Sequence, residues 1–238
     1  MCKIILLLLL SSQLLLSQQH NQTKIKTNIT PHYGLFFPGL DLKNNFGINS
    51  TIGLDLVLEK NKLFHSLGFG YMFGENVKDS SMFFMFSENG IIVDEIGQEG
   101  EVYLYQRGYQ IMYKIGKDIK IINQDFSLIF GVGFMQHKIK IKDQDNTIPA
   151  LSEDYLKGYD KLTNGFNTSV FLGYKYEKAK NKFQIGIESS IGFTKNRRSY
   201  NFVSMGPDNE LKFDLMNGIK FIWWIPVSKR TTNKNYYY

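Results

Sequence analysis

The sequence predicts an all-β fold, an eight-stranded antiparallel up-and-down transmembrane β-barrel, and three observations carry the prediction. Apolar or aromatic residues recur at every second position through most of the chain. Short polar turns alternate with long connections. A short apolar leader at the N-terminus reads as an export signal. Composition agrees: the 238 residues are 43% hydrophobic and 21% charged, within the globular range, and 15% aromatic residues with 21 glycines and 5 prolines favour strands over helical bundles. Cys2 is the single cysteine, so neither an internal disulfide nor a cysteine-based zinc site holds the fold. The formal charge of +6 is dispersed instead of gathered in one block, which argues against nucleic acid as a partner.

Residues 1–19 form the leader. Lys3 precedes the run Ile4 to Leu10, Ser11 to Gln13 interrupt it, and Leu14 to Leu16 end it. The apolar stretch is about thirteen residues, short of the roughly twenty that a membrane-spanning helix needs. Cleavage is expected near Ser17 to Gln19, and Cys2 lies on the wrong side of the apolar run for lipid attachment. The barrel is then expected over residues 20–230 and a tail over 231–238.

The first strand is expected at 28–38 and the second at 46–59, where Ile52, Leu54, Leu56 and Leu58 alternate with Thr51, Gly53 and Asp55. The third, at 62–77, sets Leu67, Phe69, Tyr71 and Phe73 against Ser66, Gly68 and Gly70, and a weaker fourth covers 101–116. The fifth, at 121–142, alternates Phe126, Leu128, Phe130, Val132 and Phe134 with Ser127, Gly131 and Gly133. The sixth, at 164–177, carries Phe166, Val170, Leu172, Tyr174 and Tyr176 over Asn167, Ser169 and Gly173. Alternation is clearest in the seventh, 181–196, through Phe183, Ile185, Ile187, Ile191 and Phe193. The eighth, 210–226, sets Phe213, Leu215, Ile219, Phe221 and Trp223 against Lys212, Asp214, Gly218 and Lys220.

Tight turns are expected at Glu59 to Lys62, Gly116 to Asp118 and Lys178 to Asn181, and long connections at 39–45, 78–100, 143–163 and 197–209. Because the two kinds alternate, every long loop gathers at one end. An even number of strands, with short turns on one rim and long loops on the other, is the pattern of bacterial outer-membrane barrels. Lipid makes an apolar exterior tolerable, and closure pairs backbone groups where water is absent. Tyr33, Tyr71, Tyr109, Tyr174, Tyr176 and Trp223 fall near expected strand ends and form a candidate aromatic girdle at the headgroup boundary.

A barrel of eight strands has room inside for side chains but not for a wide channel. The weaker face supplies Asp55, Lys114, Lys175, Glu188, Lys212, Asp214 and Lys220, with glycines such as Gly68, Gly131, Gly173 and Gly186 making space for them. Enclosed charges must pair, so an interior salt-bridge network is expected, with Asp55, Glu188 and Asp214 as its acids.

On this pattern the chain resembles the small eight-stranded bacterial outer-membrane β-barrel proteins, over about residues 20 to 230. In style it is similar to those of Bacteroidota: Lys3-Ile4-Ile5-Leu6 in the leader, Gln18 and Gln19 near the cleavage point, and abundant Asn, Lys and Tyr. Accessory barrels of the type IX secretion and gliding machinery are similar in length. The resemblance implies a monomeric structural or interaction protein whose partners are outer-membrane lipid, lipopolysaccharide and other secretion or envelope proteins. One departure is visible: such barrels often end on an aromatic residue of the last strand, whereas here Pro226 and the basic Lys229, Arg230 and Lys234 precede Tyr236 to Tyr238.

Chemistry is sparse. His20, His32, His65 and His137 make no metal-ligand spacing, and no cofactor site is expected. A triad of Ser127, His137 and Glu153 fails because ten residues of strand, roughly 33 Å, separate the first two. Other serines, such as Ser190 or Ser199, leave a lipid-modifying enzyme as a second reading, marked by a histidine, a serine and a carboxylate together on the lipid-facing surface. A soluble lipocalin-like ligand carrier is a third, requiring an apolar interior. The non-enzymatic reading rests on the loops, where scaffolds present function. The second long loop carries an apolar run, Met82, Phe83, Phe84, Met85 and Phe86, read as a contact patch. Lys138, Lys140 and Lys142, with Arg197 and Arg198 at similar height, offer cations to lipopolysaccharide phosphates.

Overall fold

The computed structural model describes residues 25–88, 91–145, 147–151, 153–178 and 181–227, so the leader and the 231–238 tail lie outside the described residues. Eight strands close into one barrel: β1 (Lys26–Leu40), β2 (Asn49–Lys60), β3 (Leu63–Gly74), β4 (Val102–Ile121), β5 (Gln124–Asp143), β6 (Thr163–Lys178), β7 (Asn181–Asn196) and β8 (Leu211–Pro226). Each pairs antiparallel with its neighbour in the chain, and β8 pairs with β1 from Asn28↔Pro226 to Leu40↔Asp214, which leaves the ring without an edge.

Alternation decides what faces where. Ile52, Leu54, Leu56, Leu67, Phe69, Ile111, Phe130, Ile185, Ile187 and Ile219 point outward, with Ile187 67% exposed, while Asp55, Lys114, Glu188 and Lys220, at the opposite parity of these strands, are buried inside. In water this surface would expose a continuous apolar belt far beyond what a soluble protein tolerates. In a bilayer the same belt is favourable, and the closed hydrogen-bonded ring satisfies the backbone. The chain is therefore a membrane-spanning barrel of the outer-membrane type. The soluble-carrier reading is overturned, because the apolar stripes face away from the lumen and the charges face into it.

Four boundaries differ from expectation by three residues or more. β4 runs past Gly116 to Ile121, and β5 starts at Gln124, because the turn is made by Ile122 and Asn123, both at positive φ of 48° and 60°. That two-residue geometry twists with the strands, and Asn61 and Lys62 repeat it between β2 and β3 at 51° and 65°. Gly116 serves packing instead: a Cβ there would lie 2.2 Å from Cζ of Phe64. At the other rim β2 begins at Asn49 and β3 ends at Gly74, since residues 41–48 fold into a one-turn helix, Leu42–Asn45, followed by a bridge from Phe46 to Val77.

Candidate functional site

The lumen is filled in layers. Nearest the tight turns, Lys175 is paired with Asp118, and Lys182 stands 3.2 Å from Glu59 and 3.8 Å from the Trp224 ring centroid. Ser127 donates to Asp118 at 2.5 Å and accepts from Gln184 at 2.7 Å. An apolar layer of Val57, Phe64, Ile129, Phe171, Ile222 and Trp224 follows. Above it Lys114 donates to both oxygens of Asp55, at 2.9 and 2.7 Å, and Lys220 donates to Glu188 at 2.7 Å. Gly68 lies opposite Asp55, and a Cβ there would be 1.7 Å from Oδ1, so glycine is what lets this pair form. A void of about 10 Å³, the size of one water, borders both pairs. Higher still, Asn167 joins Gln110 and Ser190, and Asp214 accepts from Thr194 at 2.5 Å and lies 2.8 Å from Nε2 of His137.

All seven charges that alternation assigns to the interior lie on the inward-facing set of positions, but they do not form one network. Asp55, Lys114, Glu188 and Lys220 make the central layer; Lys175 belongs to the turn end. Lys212 is at the loop rim and pairs with Asp208, a loop residue four positions earlier. Asp214 meets a histidine and a threonine in place of a lysine. Sequence reasoning missed Asp118, which it placed in a turn. The signal was available, because Lys114, Gly116 and Asp118 continue one inward parity.

Of the candidate girdle, Tyr71 and Tyr109 are cross-strand partners towards the loop end, and Tyr174, Tyr176 and Trp223 face outward towards the turn end. Phe69 stacks on Tyr109, and Phe183 on Trp223, thickening both groups. Tyr33 is a correction: it lies midway along β1, and its hydroxyl bonds Ser50 Oγ at 2.8 Å.

The four long loops, L1 (41–48), L2 (75–101), L3 (144–162) and L4 (197–210), pack together over the barrel mouth. Strand residues Phe36, Met72, Met135 and Ile139 form one buried cluster with Leu42 and Phe46 of L1, Met82 of L2, and Ile148, Leu151 and Tyr159 of L3. Backbone bonds tie the loops to one another: Gly47 donates to Asn76, Glu95 to Thr147, and Phe202 to Gly158. The proposed contact patch is thereby divided. Met82 is fully buried and belongs to this plug, because the short helix Phe83–Phe86 turns successive residues to different sides; Phe83 packs against the plug and Phe84 is 83% exposed. The side chains of Met85 and Phe86 lie outside the described residues.

L2 is pinned to L3 by Asp79, which accepts from Ser81 and pairs with Lys161. Burial works to raise the Asp79 pKa, but the hydrogen bonds and charge of Lys161 and Ser81 outweigh it and hold the carboxyl below its usual range. A lowered carboxyl pKa contributes stability above the unfolded-state value, near 4, that is lost as pH falls through the folded value. Asp79→Asn is expected to speed proteolytic cleavage within L2 severalfold at pH 7, and the difference from wild type is expected to close on acidification below that range. Equal cleavage of the two proteins at pH 7 would remove the pin from the account.

Outside the cap, β4 and β5 rise above the aromatic residues and turn a cationic ladder outward. Arg107 lies opposite Lys138, Tyr105 opposite Lys140 and Tyr103 opposite Lys142, while Ile139 and Ile141 face the plug. The Arg107 guanidinium sits 4.7 Å from the Tyr105 ring centroid. Of Ser127, His137 and Glu153, Ser127 is at the turn end and His137 under the plug, on the same strand.

No family model matches the sequence and no curated protein matches it. Among solved structures the chain is similar to Ail, the attachment invasion locus protein of Yersinia pestis, solved with the heparin analogue sucrose octasulfate, at 10% identity and a TM-score of 0.47. It is also similar to Neisserial surface protein A, at 10% identity and a TM-score of 0.41; each match covers 84% of this chain and 98% of the other.

Proposed function

We propose that this protein is a non-enzymatic outer-membrane scaffold that meets its partners through the loop cap. The observation that carries the reading is the cap itself: four long loops, joined by backbone bonds and one apolar cluster, stand as a fixed surface over a lumen already filled by paired charges. Ordering loops costs entropy, and a plugged barrel gains nothing as a pore from doing so. The non-enzymatic part is supported by where the described histidines sit: His32 and His137 face the lumen beside Asp55 and Asp214, and His65 faces outward against the Tyr113 hydroxyl at 2.7 Å. None of the three places a serine and a carboxylate together on the lipid-facing surface.

Two finer assignments belong to the same proposal. Contact with lipopolysaccharide phosphates is supported by the outward ladder of Arg107, Lys138, Lys140 and Lys142, which continues β4 and β5 beyond Tyr109 towards the loops. An accessory role in a secretion or motility complex of the Bacteroidota type is supported by the sequence resemblance alone. A photo-crosslinking residue at Phe84 is expected to capture an envelope protein in living cells, and one at lipid-facing Leu54 is expected to capture none. An empty result at Phe84, with the barrel folded and surface-exposed, would end the scaffold reading.

A further inference from the structure

The outer surface of the barrel is apolar around most of the ring, and two polar pairs on it are mutually satisfied: the Tyr33 hydroxyl with Ser50 Oγ at 2.8 Å, and the Tyr113 hydroxyl with Nδ1 of His65 at 2.7 Å. One sector departs from this. On three consecutive strands, Thr168 of β6, Ser189 of β7 and Asn217 of β8 take the outward parity, and Ser189 and Asn217 are exposed. Ser189 and Asn217 are directly paired positions, framed by the pairs Ile187↔Ile219 and Ile191↔Leu215. None of the three side chains has a hydrogen-bond partner among the described residues.

Their depth follows from the strands. Phe183 at the turn end and Lys195 at the loop end each stand six residues from Ser189, and Trp223 and Leu211 each stand six from Asn217. With a rise of about 3.3 Å and a tilt of about 45°, six residues span roughly 14 Å of depth, in an apolar band about 25 Å tall. The pair therefore sits near the middle of the hydrocarbon. No water reaches that level, and lipid tails neither donate nor accept, so an amide left there is costly. The backbone of Asn217 is already laddered to Ser189 on one side and Phe37 on the other, and its amide points away from the sheet.

We infer that the outer face of β6, β7 and β8 binds a second copy of this chain, the two barrels meeting within the bilayer about a two-fold axis beside Asn217. The amide specifies the occupant. It carries donors and an acceptor together, so two copies of it facing each other across a two-fold axis exchange a pair of hydrogen bonds, each satisfied by the same group on the other chain. A different membrane protein would need its own unsatisfied polar group at this depth. The surroundings suit close contact: Ser189 and Thr168 are small enough to let two sheets approach, and Val170, Ile187 and Ile219 beside them supply aliphatic packing. A dimer thus replaces the monomer that the family resemblance implies. The cap takes no part in this contact, and capture at Phe84 tests the scaffold reading independently of it.

Sedimentation equilibrium of the full chain in density-matched zwitterionic detergent is expected to show a monomer–dimer equilibrium. Asn217→Leu is expected to weaken it by about tenfold or more, while Asn217→Gln, which keeps the amide, stays within about threefold. Cooperative urea unfolding shows that each variant is folded. In a Cys2→Ser background, Asn217→Cys is expected to give a disulfide-linked dimer in oxidised outer membranes. Ile111→Cys, on β4 at the opposite side of the ring and 46% exposed, is expected to give none. A chain that stays monomeric, a dimer indifferent to Asn217→Leu, equal cross-linking from both cysteine positions, or linkage of the Asn217→Cys chain to another protein in place of itself overturns the inference.

Discussion

Replacing Lys220 by methionine is expected to destabilise the folded barrel by about 3–5 kcal/mol. Lys220 is 1% exposed, and its ammonium is 2.7 Å from Glu188, itself 4% exposed, in the middle layer of the lumen. Removing the ammonium leaves a buried carboxylate without its hydrogen-bonded partner in the layer it shares with Asp55 and Lys114, and the cost is its lost compensation more than the lost attraction. The double variant Glu188→Gln, Lys220→Met removes both charges with little change in volume, so most of the loss is expected to return. Unfolding in urea from phosphatidylcholine vesicles, followed by gel mobility and tryptophan fluorescence, measures both. A single variant within about 1 kcal/mol of wild type would mean that the pair is not desolvated. A double variant as unstable as the single one would place the effect in packing.

Ile187→Arg is expected to cost about 2–4 kcal/mol in the same assay, while Leu211→Arg costs about 0–1. Both residues face outward, at 67% and 48% exposure. Ile187 sits mid-strand between Leu172 and Ile219, whereas Leu211 opens β8 opposite Lys195, where a cation is already present. In water the two substitutions would be equally harmless. Their difference therefore reads the depth of each residue in hydrocarbon, and two equal small costs would remove the bilayer from the account.

Much of the barrel was legible in the sequence, because alternation and turn spacing are local properties. β6, β7 and β8 follow the expected spans to within one residue at each end. β4 and β5 were misjudged at their turn: Gly116-Lys117-Asp118 has turn composition, but its register and the packing of Phe64 against Gly116 keep it in the sheet. The rim of L1 was misjudged because Phe46, apolar and in phase with a strand, is taken by the plug. Candidate site residues fared unevenly. Inward parity placed Asp55 and Glu188 on the correct face, yet it could not name Asp118 or His137 as partners. Met82 and Phe84 are indistinguishable as a run of apolar letters and opposite in the fold.

The sequence by itself determined an eight-strand meander with two chemically distinct faces and all its long loops at one end, because a period of two and the length of a connection need no knowledge of distant residues. Tertiary structure alone decided that Lys175 meets Asp118, that Asp214 meets His137, and that side chains of L1, L2 and L3 share one apolar cluster over the mouth. Those outcomes depend on the stagger between strands far apart in the chain and on side chains from four loops competing for one apolar mouth. Neither quantity is written in any single segment.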